Sequence, residues 1–198
     1  SKRRNKAWYR IARLGADFYQ DLIADLKVAG IQTDFYQQTG VYLLKKDESK
    51  LQELYDLASN RREESLLIGE LSLLSRQEAQ EKFQDLQGFE RLLYASGGAR
   101  VGGALLTETL LKASKAELVE KKVRLTVEGE QLLVDGRSFD CVVLAVGAWL
   151  GEILQPLGYE TDVRPQKGQL RDFKLAEQTD DYPVVMPEGE LDIIHFLA

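Results

Sequence analysis

One cysteine, one histidine, one methionine and four prolines in 198 residues close off several chemistries at once. A lone cysteine forbids an internal disulfide and makes a reducing compartment the default. One histidine and one cysteine leave little material for a zinc site. A self-contained hydrolase is poorly supported as well: there is no Gly-x-Ser-x-Gly turn, and a single imidazole would have to fill every role. No apolar run is long enough to span a bilayer, and no secretory leader is legible, so the expected location is cytoplasmic. Positive charge is also short. Twenty-six Lys and Arg against 32 Asp and Glu give a formal net charge of −6, which argues against a nucleic-acid surface. The cluster Lys2-Arg3-Arg4 reads as a solvated helix start. Glycine is plentiful, but no Gly-x-Gly-x-x-Gly is present. The one glycine-rich stretch, Gly97 to Gly103, lacks that spacing and the Lys-Ser/Thr ending of a phosphate loop.

What remains is an ordinary globular composition, 44% hydrophobic and 29% charged, in a chain long enough to bury a core. The first half reads as helical. Ile11, Leu14, Phe18, Leu22 and Leu26 recur at helical spacing over Lys6–Ala29, with Gly30 as the stop. Thr33–Gln38 and Val41–Lys45 read as strands around Gly40. Asp47 or Ser49 caps a helix with Leu51, Leu54, Tyr55 and Ala58 on one face. Ser75-Arg76-Gln77-Glu78 is a capping box opening a helix that ends near Phe83.

The second half is richer in strands. Leu92–Ser96 reads as a strand and Gly102–Lys115 as a helix. Strands follow at Leu118–Val127 and Gln131–Val134, with turns at Glu128-Gly129-Glu130 and Asp135-Gly136. Gly151–Leu157 reads as a short helix, and Val163–Phe173, Val184–Met186 and Asp192–Phe196 as strands.

Residues 140–149, Asp-Cys-Val-Val-Leu-Ala-Val-Gly-Ala-Trp, are the most informative stretch. Phe139–Val146 is apolar enough for a strand buried on both faces, with Cys141 as inert core. Ala145, Gly147 and Ala148 offer little side chain where the strand ends, and Trp149 follows as a wall. In open α/β sheets ligands sit just beyond the carboxyl ends of strands. Pattern alone favours a core strand followed by a tight turn over a ligand site.

This segment resembles the late FAD-contacting strand of the D-amino-acid oxidase superfamily, which includes glycine, sarcosine and D-amino-acid oxidases. Val163-Arg164-Pro165-Gln166-Lys167-Gly168-Gln169 is similar to that family's Pro-x-x-Gly-Gln element. Gly98-Ala99-Arg100-Val101-Gly102-Gly103-Ala104-Leu105-Leu106 is similar to its glycine-bearing turn before a helix. The likeness is clearest from Tyr94 to Asp172 and looser before it.

The resemblance implies an α+β fold, a mixed or antiparallel sheet with helices on one face. It implies a substrate-side region at 1–90, a partial FAD-binding domain at 91–162 and return strands at 163–198. It implies FAD as cofactor, contacted by Val123, Ala145, Gly147, Ala148 and Trp149, and a small amino-acid or amine substrate oxidised at its C–N bond by hydride transfer to flavin. The family's opening Gly-x-Gly-x-x-Gly is not in this sequence, so the chain reads as an internal fragment, inactive alone, that does not bind FAD by itself. The catalytic residues stay unassigned. Lys167 reads as a surface charge and Gly168 as relief of crowding. His195 reads as a partly buried structural imidazole near a chain end. Arg100 reads as a surface arginine in a turn, ahead of its other reading as an anion clamp. An apolar strand left without a neighbour would present an edge and favour a homodimer. The alternative from another class is a non-catalytic α/β binding or interaction module.

Overall fold

The computed structural model describes residues 6–176, 178–189 and 191–195. It divides into two compact units: Ser1–Ala116 with Leu175–Ala198, and Glu117–Lys174.

The first unit is built on a mixed sheet. Helix α1 (Lys6–Val28) leads through a short strand β1 (Tyr36–Gln37) into β2 (Val41–Leu44). Helix α2 (Glu48–Arg62), strand β3 (Leu71–Ser75), helix α3 (Arg76–Gln80) and strand β4 (Arg91–Ala95) follow. After β5 (Arg100–Val101) and helix α4 (Gly103–Ser114), the chain returns late with a further strand, Val184–Met186. The spatial order is β3, β4, β2, then Val184–Met186. The first pairings are antiparallel and the last, Val41 to Val184, is parallel. Strand β1 pairs separately with β5.

Alternation along β4 decides the two faces. Leu93 points to α2, where it meets Leu51 and Leu54, with Leu43, Leu71 and Leu73 packed around them. Leu92 points the other way, into a cluster with Tyr42, Ala79, Leu86, Phe89 and Val185. The α2 start is fixed chemically: the Asp47 side chain accepts from the Ser49 N–H at 2.8 Å. The expected capping box is present at α3. Ser75 N–H donates to Glu78 Oε2 at 2.7 Å and Glu78 N–H donates to Ser75 Oγ at 3.3 Å. Strand β3 pairs along its whole length with β4, in a full ladder from Arg91 to Ala95.

The second unit holds an antiparallel meander: β6 (Leu125–Glu128), β7 (Gln131–Val134) and β8 (Arg137–Ser138). Both of its turns follow the sequence. Gly129 has φ +63°, and Asp135 and Gly136 have φ +50° and +74°, the left-handed pair a tight hairpin requires. Helix α5 (Leu150–Leu154) runs on into a 3₁₀ turn at Gln155–Leu157. The return strand Val184–Met186 is β9.

Several expected strands are corrected. Phe139–Val146 forms no ladder: only Arg137–Ser138 pairs, and residues 141–146 have no strand partner among the described residues. Backbone extension without a neighbour does not make a sheet. Leu118–Val127 is strand only from Leu125, and Val163–Phe173 is unpaired with its apolar side chains open to solvent, for the same reason. Asp192–Phe196 reduces to a single antiparallel bridge, Ile193 to Val185; Phe196 lies outside the described residues. The compact division falls at 117 and 174. β4 is the strand between β3 and β2 and cannot leave the first unit.

Candidate functional site

In the first unit the glycine-rich turn does structural work. Gly40 N–H donates to the Gly98 carbonyl at 2.8 Å, and Val184 N–H donates to the Gly40 carbonyl at 3.0 Å. A Cβ on Gly98 would lie 2.5 Å from the Gly40 carbonyl carbon and the Val41 nitrogen. These glycines let the start of β2 and the turn after β4 lie against each other.

Beside this crossing is a cleft of about 580 Å³. Its walls carry Gln38, Thr39, Tyr94 and Ser96 from the strand ends, Glu81 and Lys82 after α3, and Asp180, Asp181 and Tyr182 before β9. Gln38 Nε2 donates to the Ser96 carbonyl at 3.2 Å, which fixes one wall. Thr39 Oγ1 is buried and has no hydrogen-bond partner. Three carboxylates, two phenols and one ammonium suit a small polar molecule carrying an amine. No nucleophile–base pair is formed here, and among the described residues no His, Cys, Asp and Glu cluster could hold a metal ion. The sequence reading missed the cleft residues. Asp180-Asp181-Tyr182-Pro183 looks like an ordinary turn, and only the placement of β9 beside β2 brings it to Thr39.

Arg100 is corrected: it is 4% exposed, not a surface side chain. Its Nε donates to Gln37 Oε1 at 2.7 Å and its Nη2 to the Asp180 carbonyl at 2.7 Å. Burial pulls its pKa down, and Asp180 and Asp181 act against that pull. His195 is 7% exposed and sits edge-on to Phe83 and Tyr182, with ring centroids 5.2 and 5.1 Å away. Burial first, then the Arg100 charge, lower its pKa, while a hydrogen bond to the Pro183 backbone opposes them. The imidazole is buried more deeply than its position near a chain end implied.

The five residues singled out for FAD all fall in the second unit, four of them exposed and Ala148 half-buried. Val123 and Ala145 are exposed, and Trp149 is 64% exposed and walls nothing within that unit. Gly147 has φ +53°, which favours glycine, and nothing lies within 4 Å of where its Cβ would be. Gly147–Trp149 forms a 3₁₀ turn containing Ala148. Cys141 is exposed rather than core, because the strand that was to bury it has no neighbours. Lys167 and Gly168 lie in exposed chain outside any helix or strand. As a donor set, residues 141–149 offer backbone outside any strand, apolar side chains and no titratable group but one thiol. That fits a cofactor held by shape and main chain, and it supplies nothing for a pyrophosphate.

The family model described as FAD dependent oxidoreductase matches residues 1–196. An uncharacterized oxidoreductase of Bacillus subtilis, YurR, is 35% identical over 205 aligned residues, covering 99% of this chain and 55% of that protein. A glycine oxidase of Pseudomonas aeruginosa is 37% identical over 101 residues, covering 45% of this chain and 28% of its own. Among solved structures, iminodiacetate oxidase (IdaA) from Chelativorans superposes with a TM-score of 0.82 at 29% identity, over 95% of this chain and 53% of that one. Glycine oxidase from Geobacillus kaustophilus, at 20% identity and a TM-score of 0.70, shares the fold. The chain thus spans about half the length of the relatives it matches. A match that runs through both units, with the glycine turn and the Gly-Ala-Trp segment in order, places this chain in the family of FAD-dependent oxidoreductases.

Proposed function

We propose that this chain is the substrate-side part of an enzyme that oxidises the C–N bond of a small amino acid or secondary amine. The observation that carries this reading is the likeness to iminodiacetate oxidase across 95% of the chain. The first unit supplies the substrate side and the second unit part of the cofactor domain. FAD supplies the two-electron acceptor, held on this chain by Val123, Ala145, Gly147, Ala148 and Trp149. The chain's own task is then to orient an amine and a carboxylate and to keep them in place. A cleft with carboxylates and tyrosines suits that task, since a substrate ammonium needs acceptors around it. The chain alone has no glycine-rich pyrophosphate turn, so in isolation it neither binds FAD nor turns over. We place it in the cytoplasm, in keeping with its single cysteine; among the described residues no helix is long and apolar enough to cross a membrane.

The test is a flavin titration followed by anaerobic reduction. The 198-residue chain should leave flavin fluorescence unquenched, and a version extended upstream to a Gly-x-Gly-x-x-Gly segment should quench it. The extended protein, mixed with glycine, sarcosine or iminodiacetate, should lose its oxidised flavin absorption with at least one of them. Tight FAD binding by the short chain, or no reduction by any small amine, would overturn the reading.

A further inference from the structure

Two walls of the cleft are tied together by a side chain that does not line it. Arg100, on β5, is 4% exposed. Its Nε donates to Gln37 Oε1 at 2.7 Å, and its Nη2 donates both to that oxygen and, at 2.7 Å, to the Asp180 carbonyl. Gln37 is the ladder partner of Arg100 in the β1–β5 pair, and the two residues after it, Gln38 and Thr39, form one wall. Asp180, Asp181 and Tyr182 form another. Each wall has its own internal bond: Gln38 Nε2 donates to the Ser96 carbonyl at 3.2 Å, and Tyr182 N–H to the Thr179 carbonyl at 3.1 Å. The Arg100 guanidinium runs from one to the other. It therefore sets how far the backbone at Asp180 stands from β1.

Arg100 is poorly suited to a role in stability alone. Its acceptors are an amide oxygen and a backbone carbonyl, both neutral, and its Nη1 is buried without a partner. A buried guanidinium on those terms stabilises less than a well-packed apolar side chain of similar size. What it supplies is geometry. Its planar fork fixes two acceptors at one distance and one angle, which the single point charge of a lysine does not do.

We propose that Arg100 is a positioning residue for this cleft: it holds the Asp180–Tyr182 wall at the distance from Gln38 and Thr39 that a substrate amine needs. The groups that meet the substrate are those of the walls, and Arg100 acts through them. The substrate part of this proposal rests on the reading of the cleft as the substrate side; the placing of the walls does not. His195, the one histidine of the chain, lies edge-on to Tyr182 with ring centroids 5.1 Å apart, so its NMR signals report where that wall stands.

The test has one arm without flavin and one with it. In the 198-residue chain, Arg100→Ala should shift the His195 ring signals at fixed pH. It should also speed exchange of the Tyr182 amide about tenfold while leaving the Leu93 amide in β4 unchanged, the pattern of a local opening. Guanidinium chloride, far below denaturing concentration, should reverse both changes, and Arg100→Lys should show a smaller version of each. In the flavin-loaded protein extended upstream, Arg100→Ala should raise KM for whichever of glycine, sarcosine and iminodiacetate reduces it by about tenfold with kcat unchanged, the signature of lost ground-state binding. Guanidinium should restore that KM, which a purely structural lesion would not allow. If Arg100→Ala does not fold, Arg100→Lys carries both arms. Unaltered Tyr182 exchange in the folded variant, exchange that rises equally at Leu93, no rescue by guanidinium, or an unchanged KM would each overturn the proposal. An unaltered extended protein that no small amine reduces would end the oxidoreductase reading, while the two readouts in the 198-residue chain still decide whether Arg100 places this wall.

Discussion

In β4 the run Leu92-Leu93 is fully buried on both faces, whereas in the second unit the equally apolar Cys141–Leu144 alternates between exposed and half-buried, with Val143 83% exposed. Hydrophobicity does not separate the two segments. Neighbours do: β4 lies between β3 and β2, α2 covers one of its faces, and α3 with Leu86 and Phe89 covers the other. Residues 141–146 have no strand beside them among the described residues, and they alternate between exposed and half-buried. An apolar segment of this kind marks where another surface is meant to lie.

The sharpest way to break this contrast is truncation in each unit. Leu93→Ala should cost about 2–5 kcal/mol in denaturant unfolding, since it empties a site shared by α2 and two strands. Val143→Ala should change stability by less than about 0.5 kcal/mol. Similar losses at both positions would mean that residues 141–146 are packed in solution.

A second comparison uses glycine. Gly98→Ala drives a Cβ into the Gly40–Val41 backbone and should cost about 1–3 kcal/mol, whereas Gly168→Ala meets open space and should be near neutral. A tolerated Gly98→Ala would show that the turn beside the cleft is not held as closely as Gly40 N–H to Gly98 carbonyl implies.

The third concerns Tyr42, buried beside Tyr94 with its hydroxyl donating to the Ala79 carbonyl at 3.2 Å. Burial, with the neighbouring Tyr94 and Glu81, pushes its pKa up to about 12 from 10.0. The folded state favours the neutral phenol. Its contribution is therefore complete below pH 10 and is lost as pH rises from 10 towards 12. Tyr42→Phe should lower neutral-pH stability by about 1 kcal/mol and flatten the decline over that window, as read from urea midpoints against pH. An unchanged alkaline decline would assign it to other groups. The smallest effect on stability, yet a clear one on association, is expected for Val143→Asp. If the open segment pairs two copies, the unaltered chain should elute as a dimer at high concentration and the variant as a monomer. A clean monomer for the unaltered chain would remove the dimer.

Much of the local structure was legible because it is set by local chemistry. The Asp47 cap, the Ser75–Glu78 box, the Gly129 and Asp135-Gly136 turns and the α2 face of Leu51 and Leu54 each depend on residues within a few positions. The family was legible from three short motifs. The first half of α1 shows where periodicity stops helping: Ile11, Leu14 and Phe18 have helical spacing, yet they remain exposed while Leu26 is buried. A stripe states that a face wants cover and not whether cover is present.

By itself the sequence determined the caps, the turns, most helices, the scarcity of metal ligands and the membership of a flavin-dependent family. Those follow from side chains acting on their own stretch of backbone, or from motifs that survive in order. Only the tertiary structure decided which apolar runs became strands, because a ladder needs a partner and the partner is remote in the chain. It also decided that Arg100 is buried, and that Asp180 and Tyr182 stand beside Thr39 and His195. Those contacts exist because β9 returns parallel to β2 across more than a hundred residues, a pairing no local pattern encodes.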